Sequence, residues 1–280
     1  MVASALFLKS VLLVPGAGLA AVLLVGASYA QDPSGDTGDP SDDTGDAATD
    51  SATDGAGAAN QEWSYSGATG PAQWALLSEE YGACDGNAQS PIDITDATPD
   101  DTLGALDVSY VPVSVERDPE QYVTTFEVED AGGFAVDGRH YMLVEFHFHT
   151  PSEHTVEGQR FAAEAHFVHE GEDGTPAVVA VMVEEGAAND PLESVLPGTA
   201  DRGNAAGTQP QVDPGALLPE SNAYYTYTGS LTTPPCTEGV HWFVLQEPVE
   251  ASPEQTRRLK GEGTNRPVQP LNGRTVAASE

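Results

Sequence analysis

EFHFHTPSEHT, residues 145–155, holds three of the seven histidines in a chain of 280 residues. Successive side chains on a β-strand point to opposite faces. His147 and His149 therefore project together on one side, and Phe146 and Phe148 on the other. Two imidazoles so placed can occupy two positions around a metal ion. The same spacing also arises on a solvated strand edge, so the flanking sequence has to decide.

Working outward, HYMLVEFHFH (140–149) and FAAEAHFVH (161–169) both have the length, β-branched and aromatic content, and turn-rich borders of strands. Residues 150–158 turn the chain between them, which makes the pair antiparallel and lets His166 lie across from the face carrying His147 and His149. Three neutral histidines with one open position describe a catalytic zinc site, whereas a structural site is closed by a fourth protein ligand, usually cysteine. Glu145 precedes His147 by two residues and Glu164 precedes His166 by two. Each carboxylate thus shares a face with its histidine and can accept the ring's other N–H, fixing the tautomer. His140, His154, His169 and His241 have no such pairing and read as solvated or internally satisfied. His169, three residues after His166, falls on the opposite strand face and reads as structural.

The same signals give strands at 122–129, 177–185 and 240–249. Short helices are expected near 72–81, 191–195 and 253–259, the last with Ser252 as cap and Pro253 at its first position. The fold class is mainly β: one domain at 62–280, with a central, mostly antiparallel, twisted sheet and short peripheral helices.

Residues 1–30 carry Lys9, an apolar run from Val11 to Gly26 and a small-x-small pattern at Ser28-Tyr29-Ala30, which reads as a signal peptide. An uncleaved membrane anchor is the alternative. Residues 31–61 contain almost nothing that can form a core and read as a disordered acidic linker. Their Asp spacing is irregular and does not follow the calcium-loop pattern. Secretion or a periplasmic location is expected, with a membrane tether if the first segment is retained.

Ten basic residues stand against 44 acidic ones, a net charge of −34. Such a surface disfavours nucleic acid as a partner, because phosphate binding needs a basic patch. It suits high salt, where counterions screen the self-repulsion, so a halophilic source is expected. Cys84 and Cys236 are the only cysteines. In an exported chain one disulfide is the expectation, with two buried thiols as the alternative.

EFHFHTPSEHTVEG together with AAEAHFVH strongly resembles the α-class carbonic anhydrases. The resemblance continues in WSYSGATGPAQW (63–74), QSPIDI (89–94), LLPESNAYYTYTGSLTTPPCTEGVHWFVL (217–245) and NRPVQPLNGR (265–274), and spans 62–276. It implies reversible hydration of carbon dioxide to bicarbonate and a proton by zinc-bound hydroxide, with weak ester hydrolysis as a side activity. His147, His149 and His166 match the family's zinc ligands, and Glu164 the carboxylate behind the third. Thr232 matches the hydroxyl that accepts from the hydroxide while donating to Glu153. Thr233 matches the neighbour that orients bicarbonate or inhibitors. Val168, Val178, Leu231, Val240 and Trp242 match the apolar wall where carbon dioxide waits. Cys84 and Cys236 match a disulfide of exported members. Sulfonamides and small anions are the implied inhibitors, and monomer and dimer both remain open. Two positions depart from the family: Glu145 stands where glutamine is usual, and Thr124 where a proton-shuttling histidine is frequent.

Overall fold

A computed structural model describes residues 62–118, 123–196, 211–259 and 263–280. The signal and linker readings at 1–61 lie outside the described residues.

A 12-stranded mixed sheet dominates. Its main path runs through Tyr224–Ser230, Glu238–Leu245, Pro176–Glu185, Ala163–Gly171, Arg139–His149 and Thr124–Glu127. Most neighbours are antiparallel, but Pro176–Glu185 pairs in parallel with both Glu238–Leu245 and Val249–Ala251. The strand expected at 240–249 is therefore two, interrupted before Val249. Pro248 lacks a backbone N–H and falls in that break.

Alternation along Pro176–Glu185 builds two cores at once. Ala177, Val179, Val181 and Val183 enter one apolar cluster, with Phe146, Phe148 and Phe167. Val178, Ala180 and Met182 enter the other, with Tyr227, Val240, Trp242 and Val244. Burial on both faces explains why AVVAVMV reads as a continuous apolar run rather than an alternating one. Each fully buried Val or Phe contributes about 1.5–3 kcal/mol, so this central strand is the anchor of the site-bearing region.

Residues 150–158 are more than a hairpin turn. Thr155–Val156 pairs in parallel with Asp93–Ile94 and antiparallel with Gln159–Arg160, forming a small separate sheet. The helix expected at 72–81 is a single α-turn, Trp74–Leu77, between 3-10 segments Pro71–Gln73 and Glu79–Asp85. Ser78 breaks it: its backbone is extended, and its Oγ accepts from the Glu80 N–H at 3.2 Å to cap the next turn. The helix at Pro253–Leu259 has the expected bounds, and Ser252 Oγ accepts from the Gln255 N–H at 3.3 Å. Cys84 and Cys236 form a disulfide, packed with Trp74 and Leu77.

Candidate metal centre

The strands Arg139–His149 and Ala163–Gly171 pair antiparallel with His166 directly opposite His147 and Glu164 opposite His149. This register turns sequence parity into a cluster. One side-chain nitrogen from each of His147, His149 and His166 lies within 4.8 Å of the others, and His149 and His166 are buried.

The outer ring nitrogens are already engaged. Glu145 Oε1 accepts from His147 Nδ1 at 3.1 Å, the Thr264 carbonyl from His149 Nδ1 at 2.5 Å, and Glu164 Oε1 from His166 Nε2 at 2.8 Å. What remains is Nε2 of His147, Nε2 of His149 and Nδ1 of His166. His149 Nε2 is buried without a hydrogen-bond partner, a condition that protein interiors rarely tolerate unless the atom has a task. Burial holds His149 well below the ordinary histidine range, with the two neighbouring rings acting the same way. Burial likewise lowers His166 to about 4, against the opposing pull of Glu164. Both rings are neutral at pH 7, and neutral imidazole is the form that ligates metals.

His154, Glu164 and His166 form a second close group, but its atoms are spent on one another. Glu164 Oε1 accepts from His154 Nδ1 at 2.7 Å as well as from His166, and Oε2 accepts from the backbone N–H groups of Glu153 and His154, each at 2.8 Å. Burial alone would raise Glu164, yet His154 and His166 hold it well below the usual carboxylate range. On its other side His154 Nε2 meets the Tyr227 hydroxyl at 2.6 Å, which in turn meets Ser90 Oγ at 2.8 Å. This trio is a support for the triad.

Glu153 is fully buried, its Oε1 accepts from the Arg266 backbone N–H at 2.7 Å, and its Oε2 lies 3.4 Å from His149 Nε2. Those two groups are a close contact rather than an ion pair, because burial raises Glu153 well above the carboxylate range while lowering His149. The Arg266 N–H and the Thr232 hydroxyl both favour the charged form of Glu153. Thr232 sits, buried, in the loop between Tyr224–Ser230 and Glu238–Leu245. That loop is closed by Leu231 N–H donating to the Thr237 carbonyl at 3.0 Å and Cys236 N–H to the Thr233 carbonyl at 2.8 Å.

Val178, Val240 and Trp242 belong to one buried cluster, with Val168 and Leu231 packed against it. The Trp242 ring lies 5.0 Å from His166 and 4.8 Å from His154, so this apolar surface adjoins the triad. Thr124 pairs through its backbone with Phe148, and its side chain lies outside the described residues. His169 is buried on the opposite face, stacked near Tyr110 and edge-on to Phe134. Sequence reading did not single out Thr264, Arg266 or Tyr227, and it gave His154 no role beyond being satisfied. Only the segment similarity at 265–274 touched Arg266.

Three inward nitrogens, joined by no fourth protein ligand among the described residues, form a histidine cluster that suits an open, reactive metal position rather than a closed structural one, as in enzymes that use a metal. The comparisons narrow the class. Residues 69–280 match the family model for eukaryotic-type carbonic anhydrase. A carbonic anhydrase of Neisseria gonorrhoeae is 43% identical over 222 residues, covering 76% of this chain and 86% of that protein. One of Klebsiella pneumoniae is 42% identical over 223 residues, covering 76% and 89%. The structure of the α-carbonic anhydrase from Thermovibrio ammonificans with the inhibitor sulfanilamide has a TM-score of 0.69 at 43% identity, covering 77% of this chain and 98% of that one. The chain belongs to the α-class carbonic anhydrase family, whose reaction is the hydration of carbon dioxide.

Proposed function

We propose that this chain hydrates carbon dioxide reversibly using a zinc ion held by His147, His149 and His166. The observation that carries the reading is His149 Nε2, buried and unpartnered while the same ring's Nδ1 is bonded to the Thr264 carbonyl. A ring so tied presents a lone pair to the cluster, with Glu153 Oε2 near at 3.4 Å but no hydrogen-bond donor among the described residues to take it.

Bound zinc would act as a Lewis acid that brings water ionisation towards neutral pH, the behaviour for which carbonic anhydrase is itself the standard example. The chain's own residues organise the space around it. Glu145, Thr264 and Glu164 orient the three rings from behind and strengthen them as ligands. Glu153, when ionised, holds the Thr232 proton, leaving the Thr232 oxygen to accept a hydrogen bond from the attacking water species and so aim its lone pair. A nearby dication would favour that ionised form. Val168, Val178, Leu231, Val240 and Trp242 give neutral, apolar carbon dioxide a dry surface, while Thr233 is the neighbour that orients bicarbonate. The same arrangement would hydrolyse activated esters weakly and bind sulfonamides and small anions.

The reading also includes export by the N-terminal segment, with residues 31–61 as a linker and the protein working at high salt outside the cytoplasm. N-terminal sequencing of the exported protein tests the first point, with a new terminus near Gln31 expected. For the metal, isothermal titration of the metal-free chain with zinc should show one tight site. Iron in preference to zinc in the purified protein would contradict the assignment.

A further inference from the structure

Glu127 and Glu145 lie directly opposite each other on the antiparallel strands Thr124–Glu127 and Arg139–His149. Like charges in facing positions cost stability, so strand pairing gives no reason for them. Glu145 also lies opposite Val168, two positions along each strand from the His147 and His166 pair. All these side chains therefore share the triad's face. Together with Glu129, Asp130 and Val144, the two glutamates line a cavity of about 760 Å³. Glu145 Oε1 bonds to His147 Nδ1 at 3.1 Å, so the acidic wall begins at a ligand histidine. Among the described residues that line the cavity, four are acidic and none is basic.

A cleft lined by one sign of charge focuses its field and changes local ion concentration. Carbon dioxide is neutral and feels no such field, whereas bicarbonate and other small anions do. We propose that Glu127 and Glu145 form a charge filter at the mouth of the site. The filter admits neutral substrate, hastens departure of the anionic product and weakens anionic competitors. It rests on the carbon dioxide hydration reading and adds a selectivity to it. The chain's net charge of −34 offers a diffuse field of the same sign, so the test has to separate a local pair from the whole surface.

The test is calorimetric binding of three benzenesulfonamides to the zinc-loaded full chain at low ionic strength. The three share one ring and carry a hydroxymethyl, a carboxymethyl or an aminomethyl tail. The carboxylate compound should bind about tenfold more weakly than the neutral one, the ammonium compound more tightly, and molar salt should remove most of the difference. Glu127→Gln should shrink the anion penalty about threefold. Glu254→Gln, which removes the same charge from the exposed face of the helix Pro253–Leu259, should leave it in place. Each ligand is compared with itself across variants, so differences in sulfonamide acidity cancel. Equal binding of the three by the unsubstituted chain, or equal effects of the two substitutions, overturns the filter alone. No binding by any of the three overturns the metal-centre reading and the filter with it.

Discussion

Arg266 donates its backbone N–H to Glu153 Oε1 at 2.7 Å, across 113 positions of sequence. Its guanidinium meanwhile donates to Gln89 Oε1, the Ser90 carbonyl and the Cys84 carbonyl at 2.8–2.9 Å, and lies over the Trp74 ring. Burial lowers this arginine to about 10, so it stays charged at neutral pH. One residue thus fastens residues 84–90 beside the disulfide and places the donor that fixes the Glu153 carboxylate. Charge-assisted bonds of this kind are about twice as strong as neutral ones.

In the proposed mechanism Thr232 acts through Glu153, whose charged form its hydroxyl favours, and not through the metal. Thr232→Ala should lower kcat/KM for carbon dioxide about 100-fold, the scale of losing one preorganised hydrogen-bond group at a reaction centre. Zinc content should be unchanged. Stopped-flow hydration alongside elemental analysis reads both, and a variant with full activity would remove Thr232 from the mechanism.

Glu145 puts a carboxylate on His147 Nδ1, where an amide is the family habit. A charged acceptor makes the ring a stronger donor to the metal and adds negative charge nearby, both of which disfavour deprotonation of bound water. Glu145→Gln should move the midpoint of the pH–activity profile down by about one unit. An unmoved profile would show that the carboxylate has no electronic influence.

His169 gives a pH signature independent of the metal. It is buried, with its Nε2 hydrogen-bonded to the Tyr110 hydroxyl at 2.7 Å, and burial pushes its pKa from 6.5 down to about 3. The unfolded chain binds this proton more readily than the folded one. Stability from this group is therefore complete above pH 6.5 and is lost as pH falls from there to about 3, with a slope approaching about 1.4 kcal/mol per pH unit. Urea unfolding of the metal-free chain between pH 4 and 8 should show this slope added to that of His149 and His166, which are also lowered, and His169→Gln should reduce it by the share of one group. An equal slope in both would assign it to other groups.

The strand signals and the two-residue parity of Glu145, His147, Glu164 and His166 were legible because period-two alternation is a local property and antiparallel pairing preserves it. Cys84 with Cys236 was legible from compartment chemistry. Three things were not. The Thr264 carbonyl and the Arg266 N–H are backbone groups, with no side-chain signature at any distance in sequence. His154 looked unexceptional because its partners, Glu164 and Tyr227, lie 10 and 73 positions away. Pro248 marks the break before Val249 locally, but that one long strand, Pro176–Glu185, accepts two successive parallel neighbours is a distant pairing that no local pattern encodes.

The disulfide spans a sequence separation of 152. In the chain-entropy account, closing a loop that long constrains the unfolded state by about 5 kcal/mol. Cys84→Ser with Cys236→Ser should lower the unfolding free energy by several kcal/mol, about 3–5. Because Gln89 Nε2 donates to the Cys236 carbonyl at 3.2 Å and Arg266 to the Cys84 carbonyl, some activity should go with it even where the variant remains folded. Paired denaturation and activity measurements check this, and unchanged stability would contradict it.

Carbon dioxide hydration measured by stopped flow on the metal-free chain, before and after one equivalent of zinc, tests the central claim most directly when His149→Ala is run beside it. The account predicts no activity without metal, fast hydration with one zinc bound, and neither tight zinc nor hydration in the variant. Full zinc occupancy with no hydration, or equal activity in the variant, would contradict it.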